Sequence, residues 1–315
     1  MNRLRHLQIL VSISALCMSQ VALSYESALH QQLTFIAAKQ FSRCARIAED
    51  LEQLSALDTR YIVRANVAQA DTNMFTRMIR WNYYDRGEQG GRSFFGLIDT
   101  RFHNHFGALE NALLEDGDRQ RLRTFGRLLN YIQDVTSPAH VVPVFTARWW
   151  RFSFADRFDR FPVDAVGVES ALESVCDDLK LLPRNLQALM ATTAAATFAA
   201  VGAPIEGFPT TWRAYWRPQG DAGDFGEYGP AGNQFGERTA FACGEKSTET
   251  GRRQRCLLLK DDPLYLDFAH LRHVEAVKAT IYAMAIIQNQ RQAGPGEFVE
   301  EAPANPQTSQ MSGNP

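Results

Sequence analysis

Several familiar signatures are missing from this 315-residue chain, and each absence closes off a class of function. There is no Gly-rich phosphate loop, no G-x-S-x-G elbow and no C-x-x-C motif, which sets aside P-loop, dinucleotide, serine-hydrolase and thiol-redox chemistry. No segment of strand length alternates apolar and polar residues, and no internal repeat is evident, so the expected fold class is all-α. Neither charge sign is in excess: 33 Lys and Arg stand against 35 Asp and Glu, a formal charge of −2. No basic track is available for duplex nucleic acid. Cysteine is scarce and never at zinc-knuckle spacing. Histidine is scarce too, and none lies between His140 and His270.

What is present points to export. Arg3, Arg5 and His6 precede an apolar run, Ile9 to Met18. Ala22-Leu23-Ser24 then offers a small-residue cleavage site, so residues 1–24 read as a signal peptide and Tyr25 as the mature start. A lipoprotein cleavage before Cys17 is disfavoured by Leu16. Loss of Arg3 and Arg5 takes the formal charge from −2 to −4. A secreted or periplasmic location follows. Four cysteines remain, an even set in an exported chain, so two disulfides are expected. Cys243 and Cys256 flank a polar loop and pair most simply with each other, leaving Cys44 with Cys176. The spacing alone leaves the connectivity open.

At 45% hydrophobic residues the chain carries enough apolar mass for one large domain over 25–291. Helical periodicity runs over 28–56, 58–84 (with Asp58 as N-cap), 102–115, 117–135, 166–201 with a break near Pro183, and 265–291. Residues 203–264 lose that period and gain Gly, Pro and aromatics, predicting an ordered excursion tied by a disulfide. From 292 to 315 apolar mass vanishes, predicting a disordered tail. A bundle that builds its site from inward-facing side chains is the default for such a pattern.

The chemistry-bearing stretch is Asp134-Val-Thr-Ser-Pro-Ala-His140. Asn130 and Asp134 are four apart and share a helix face. Pro138 ends that helix, and His140 follows the turn. This places a carboxylate and an imidazole where both can reach one cleft, although taken alone the stretch is better explained as an ordinary helix end, with Asp134 solvated and His140 packed.

Asn130-x-x-x-Asp134-x-x-x-Pro138-x-His140 resembles the His-x-x-x-Asp-x-x-x-Pro-x-His of the zinc-dependent phospholipase C / S1-P1 nuclease superfamily. That family also uses its N-terminal amine and carbonyl, on an aromatic residue with a His shortly after, and Tyr25 with His30 is similar. Asp71 followed by Trp81-Asn82-Tyr83-Tyr84-Asp85 resembles the family's acid and later aromatic-His stretch. The likeness covers roughly the first half of the mature chain. It implies an exported phosphodiesterase with an all-α, multi-helix bundle and a three-zinc cluster. Tyr25, His30 and Asp134 would hold one zinc. Asp134 would bridge to a second completed by Asp71, also the candidate catalytic acid, and His140 would begin a third, with Asp156 and Asp159 the nearest acids.

Asn82 and Asn130 depart from that pattern, standing where the family has zinc-binding His. An amide oxygen is a poor zinc ligand but suits calcium or magnesium. Three readings stay open: a changed metal set using Asp71, Asn82, Asn130 and Asp134; replacement of the missing imidazoles by His103, His105, His270 or His273; or lost catalysis on a scaffold kept as a lipid- or partner-binding module. The favoured partner is a phosphodiester, a phospholipid headgroup ahead of single-stranded nucleic acid. Trp212, Tyr215 and Trp216 are candidate substrate contacts through cation–π caging, with loop packing as the alternative. Trp149, Trp150, Phe152 and Phe154, interleaved with Arg148 and Arg151, suggest peripheral membrane contact. A monomer is expected.

Overall fold

The computed structural model describes residues 27–48, 51–71, 83–84, 93–94, 98–99, 103–115, 117–144, 156–179, 182–246, 251 and 253–293. The signal segment, Tyr25, Asn82, the aromatic run 149–154 and the tail beyond 293 lie outside them.

The described chain is mostly helical. In order it forms α1 (Ser27–Cys44), α2 (Ala56–Ala70), the short pair β1 (Ser93–Phe94) and β2 (Ile98–Asp99), α3 (His103–Glu115), α4 (Asp118–Asp134) and the one-turn α5 (Pro138–Val141). There follow α6 (Ala165–Ala171), α7 (Val175–Asp178), α8 (Leu186–Gly202), β3 (Trp216–Arg217), β4 (Glu227–Tyr228), β5 (Thr239–Lys246), β6 (Arg253–Leu258) and the long α9 (Pro263–Ala293). Among the described residues no helix is long and apolar enough to cross a membrane.

Local chemistry explains most boundaries. Helix α2 starts two residues before Asp58: Ser55 is its cap, accepting from the Asp58 amide while its hydroxyl donates to the Asp58 carboxylate at 2.7 Å. That reciprocal arrangement satisfies an otherwise orphaned amide. Two expected helices end early. Helix α1 stops at Cys44, and Tyr83 and Tyr84 are not helical. The Asn185 side chain caps α8, accepting from the Ala188 amide at 2.8 Å just past the Pro183 break.

Helices α1, α2, α4 and α9 pack around one core, with Leu33, Phe41, Ile62, Leu128, Leu129, Val277 and Ile281 among its buried residues. The crossing of α2 and α4 is close because Gly126 has no side chain there. A Cβ at that position would lie 2.3 Å from the Ile62 carbonyl oxygen and 2.8 Å from Ala65 Cβ. This approach brings Asn66 of α2 up to Asn130 of α4, one turn beyond the contact.

The excursion after α8 is ordered, and β5 and β6 pair antiparallel within it. The all-α expectation missed this hairpin because its alternation is muted. In β5, buried Phe241 and Cys243 alternate with small Ala240 and Ala242, and in β6 the outward position is a leucine, Leu257. Both disulfides form as the spacing suggested, Cys44–Cys176 and Cys243–Cys256. The first ties α1 to α7 and the second closes the hairpin.

Candidate functional site

Asp134 is the last residue of α4, and its carbonyl accepts from the Ser137 amide at 2.9 Å. Pro138 then opens α5, as suits a residue without an amide proton. This tight turn returns His140 toward Asp134. Two further contacts pin it: the Tyr84 amide donates to the His140 carbonyl at 2.8 Å, and the Gly223 amide to the Val141 carbonyl at 2.7 Å. Tyr84 is thus held beside His140, while Trp81, Asn82 and Asp85 lie outside the described residues.

Four titratable side chains form a row here. His30 Nε2 lies 3.3 Å from Asp134 Oδ1, His140 Nε2 lies 3.9 Å from the same oxygen, and His140 Nε2 is 3.7 Å from Asp159 Oδ2. All four are buried. Asp159 is aimed by the Ser137 hydroxyl, which donates to its Oδ1 at 2.6 Å. Around His30 lies a shell of buried neutral groups. Gln133 Oε1 is 2.6 Å from Nδ1, and Asn130 Nδ2 is 3.0 Å from Nε2 and 3.1 Å from Asn66 Oδ1. The Asn130 side-chain Oδ1 is buried and, among the described residues, has no hydrogen-bond partner.

The other candidates are placed differently. Asp71 is exposed at the C-cap of α2. Asp156 is close to Asp159 but fully engaged: it accepts from Trp216 Nε1 at 2.9 Å, the Tyr228 hydroxyl at 2.8 Å and the Phe158 amide at 2.9 Å. Asp159, rather than Asp156, faces His140. Burial pushes the Asp156 carboxyl up to about 6, the nearby Asp159 charge adds to this, and the three donors oppose it. Tyr228 is likewise pushed up, by burial first and then by Asp156.

Substrate contact by Trp212, Tyr215 and Trp216 has to be corrected. All three are buried in an aromatic core, which is the packing alternative. Trp212 lies 4.3 Å centroid to centroid from Phe268, Trp216 stacks on Phe268, and the Tyr215 hydroxyl bonds that of Tyr265. Among the described residues their faces pack on protein, with no ligand cage open between them. Of the histidines offered as replacements, His105 packs edge-on to Tyr131 and His273 lies against Phe158, their ring centroids 5.9 Å away in each case.

Among the described residues no group of three or more His, Cys, Asp or Glu side chains is arranged to hold a metal ion. The row supplies ligand pairs instead. Imidazole nitrogen and carboxylate oxygen at 3.3 Å match the edge of a coordination polyhedron with metal bonds of about 2.1 Å. The donors therefore suit a cation in kind, with His30–Asp134 as one pair and His140–Asp159 as another, and further ligands must come from elsewhere in the chain. Sequence reasoning did not find Thr34, Asn66, Gln133 and Thr280. Their one local signal is that each is a polar residue at an apolar-face position of its helix.

No family model, no curated protein and no solved structure matches this chain.

Proposed function

We propose that the chain is an exported, metal-dependent phosphodiesterase of phospholipase C type. The observation that carries this reading is the convergence of two imidazoles on one buried carboxylate: His30 from α1 and His140 from α5 both turn Nε2 toward Asp134 Oδ1. Burying a carboxylate between two rings is costly unless a cation or proton is shared among them. His30 with Asp134, and His140 with Asp159, are the pairs that would hold the metal. A bound divalent ion, zinc or the harder calcium or magnesium, supplies an activated water and neutralises phosphoryl oxygens. The chain's own part is positioning: Ser137 aims Asp159, the Tyr84 amide fixes the turn carrying His140, and the surrounding core keeps bulk water from the row. A phospholipid headgroup is the favoured substrate, because the negative net charge disfavours a polyanion.

The test is metal analysis of the mature protein, followed by hydrolysis assays with zinc, calcium and manganese restored separately. Phosphatidylcholine turnover abolished by chelator supports the reading; turnover of single-stranded DNA alone redirects it to an S1/P1-type nuclease. A folded protein with no turnover under any metal overturns it.

One observation favours a second reading, a scaffold kept for binding. The Asn130 amide nitrogen points at His30 Nε2, the lone pair a metal would use. Asn130→His, which restores the family's residue, then raises zinc affinity in a chelator-competition assay where the parent chain binds weakly.

A further inference from the structure

The buried neutral shell around His30 has a direction, and it can be read from two hydroxyls. The Thr34 hydroxyl donates to the His30 carbonyl at 2.8 Å, and the Thr280 hydroxyl donates to the Ala276 carbonyl at 2.7 Å. A backbone carbonyl can only accept, so both hydroxyl protons are committed and both threonine oxygens are left as acceptors. Gln133 has one amide end 3.0 Å from Thr34 Oγ1 and 3.1 Å from Thr280 Oγ1, and that end must be the nitrogen. Its Oε1 consequently faces the other way, 2.6 Å from His30 Nδ1 and 3.0 Å from Asn66 Nδ2.

An oxygen that can only accept requires a proton on its partner, so Nδ1 of His30 is protonated. The same logic orients the next amide. Asn66 spends its nitrogen on Thr34 at 2.9 Å and on Gln133, so its Oδ1 is an acceptor and Asn130 must present Nδ2 to it at 3.1 Å. The same Asn130 Nδ2 lies 3.0 Å from His30 Nε2 and 3.5 Å from the Asn66 carbonyl oxygen, and the imidazole nitrogen is the nearer acceptor for its second proton. A donor facing Nε2 makes that nitrogen the acceptor of the pair, which matches the proton placed on Nδ1.

We infer that Gln133 is the positioning residue that sets the tautomer of His30, holding the proton on Nδ1 and leaving the Nε2 lone pair on the side of Asp134. The threonine, glutamine and asparagine contacts are all between neutral groups, with the Asp134 carboxylate 3.3 Å from Nε2 at their end. Their direction comes from two helical carbonyls on different helices, α1 and α9, acting through threonines that bracket one glutamine on α4. Fixing the ring through its far nitrogen is what a ligand or base histidine needs. That functional half rests on the phosphodiesterase reading; the tautomer itself does not.

Two-bond proton–nitrogen correlation on the full mature chain reads the tautomer directly. At neutral pH the parent protein is expected to show His30 with Nδ1 protonated and Nε2 bare. In Gln133→Leu the proton moves to Nε2, toward Asp134 Oδ1. Should Gln133→Leu fail to fold, the double variant Thr34→Val, Thr280→Val removes both acceptors for the glutamine nitrogen, and the same proton shift is expected. An Nε2-protonated or doubly protonated His30 in the parent, or an unchanged pattern in both the leucine and the valine variants, overturns the inference. Hydrolysis and metal binding separate the two claims. With an active parent, Gln133→Leu lowers both by about 10- to 100-fold. An inactive parent that shows the expected tautomer ends the phosphodiesterase reading and leaves the role of Gln133 intact.

Discussion

His30 Nε2 sits 3.3 Å from Asp134 Oδ1, with both side chains sealed from solvent. The same oxygen is 3.9 Å from His140 Nε2. Asp134→Asn keeps the shape of the side chain and removes the charge between the rings. Hydrolysis and bound metal are both expected to fall, activity by on the order of 100-fold, with little change in melting temperature. Steady-state assays beside a thermal melt check this. Retained activity in a well-folded variant would remove Asp134 from the site.

Gly126 controls whether the shell around His30 can assemble. Alanine there would drive a Cβ to 2.3 Å from the Ile62 carbonyl and push α2 away from α4. The expected cost is about 1–3 kcal/mol from overpacking, read as a lowered urea midpoint. Because Asn66 and Asn130 meet across this crossing, the His30 tautomer signal should also broaden or shift.

The two disulfides should contribute unequally. Cys44–Cys176 spans 132 residues and Cys243–Cys256 spans 13. On the chain-entropy view, closing the longer loop stabilises by about 5 kcal/mol and the shorter by about 3 kcal/mol. Paired alanine variants compared by denaturant unfolding should rank in that order.

Acid should destabilise the fold through His273. Burial in the core pushes its imidazole down to about 3, with the nearby His270 adding to the effect. The unfolded chain binds a proton there from about pH 6.5 downward and the folded chain does not. This contribution is therefore present above pH 6.5 and lost as pH falls toward 3. Asp156, raised to about 6, works in the opposite sense: its contribution is full below its unfolded value of 3.8 and lost as pH rises through 6. His273→Leu should flatten the acid loss of stability between pH 6 and pH 4, and Trp216→Phe, which removes one donor to Asp156, should leave that slope in place. An unaltered slope in His273→Leu would assign the acid sensitivity to other groups.

Much of this architecture is legible in the residues themselves. Apolar spacing marks α3, α4 and α9, because a helix shows its buried face every three or four positions whatever it packs against. An even set of cysteines, two of them flanking a polar loop, suggests both disulfides. Pro138 marks the turn that carries His140. Asp134, His30 and His140 stand out as scarce residue types in or beside apolar helices. The hairpin of β5 and β6 was hidden because alanine and an outward leucine blur the alternation that betrays a strand. The aromatics Trp212, Tyr215 and Trp216 could not be assigned to cleft or core, since composition carries no information about which faces are covered.

The partner of each polar side chain was decided only by the tertiary structure. Gln133 reads as one polar residue in a helix until α1 brings His30 within 2.6 Å of it and α9 brings Thr280 within 3.1 Å. Asp159 rather than Asp156 faces His140 because Trp216 and Tyr228, far along the chain, claim the other carboxylate. Helix periodicity is a local property written every few residues. A hydrogen bond between residues 103 positions apart leaves no such period, so the helices could be read from the chain while the direction of the network at His30 needed all of them in place.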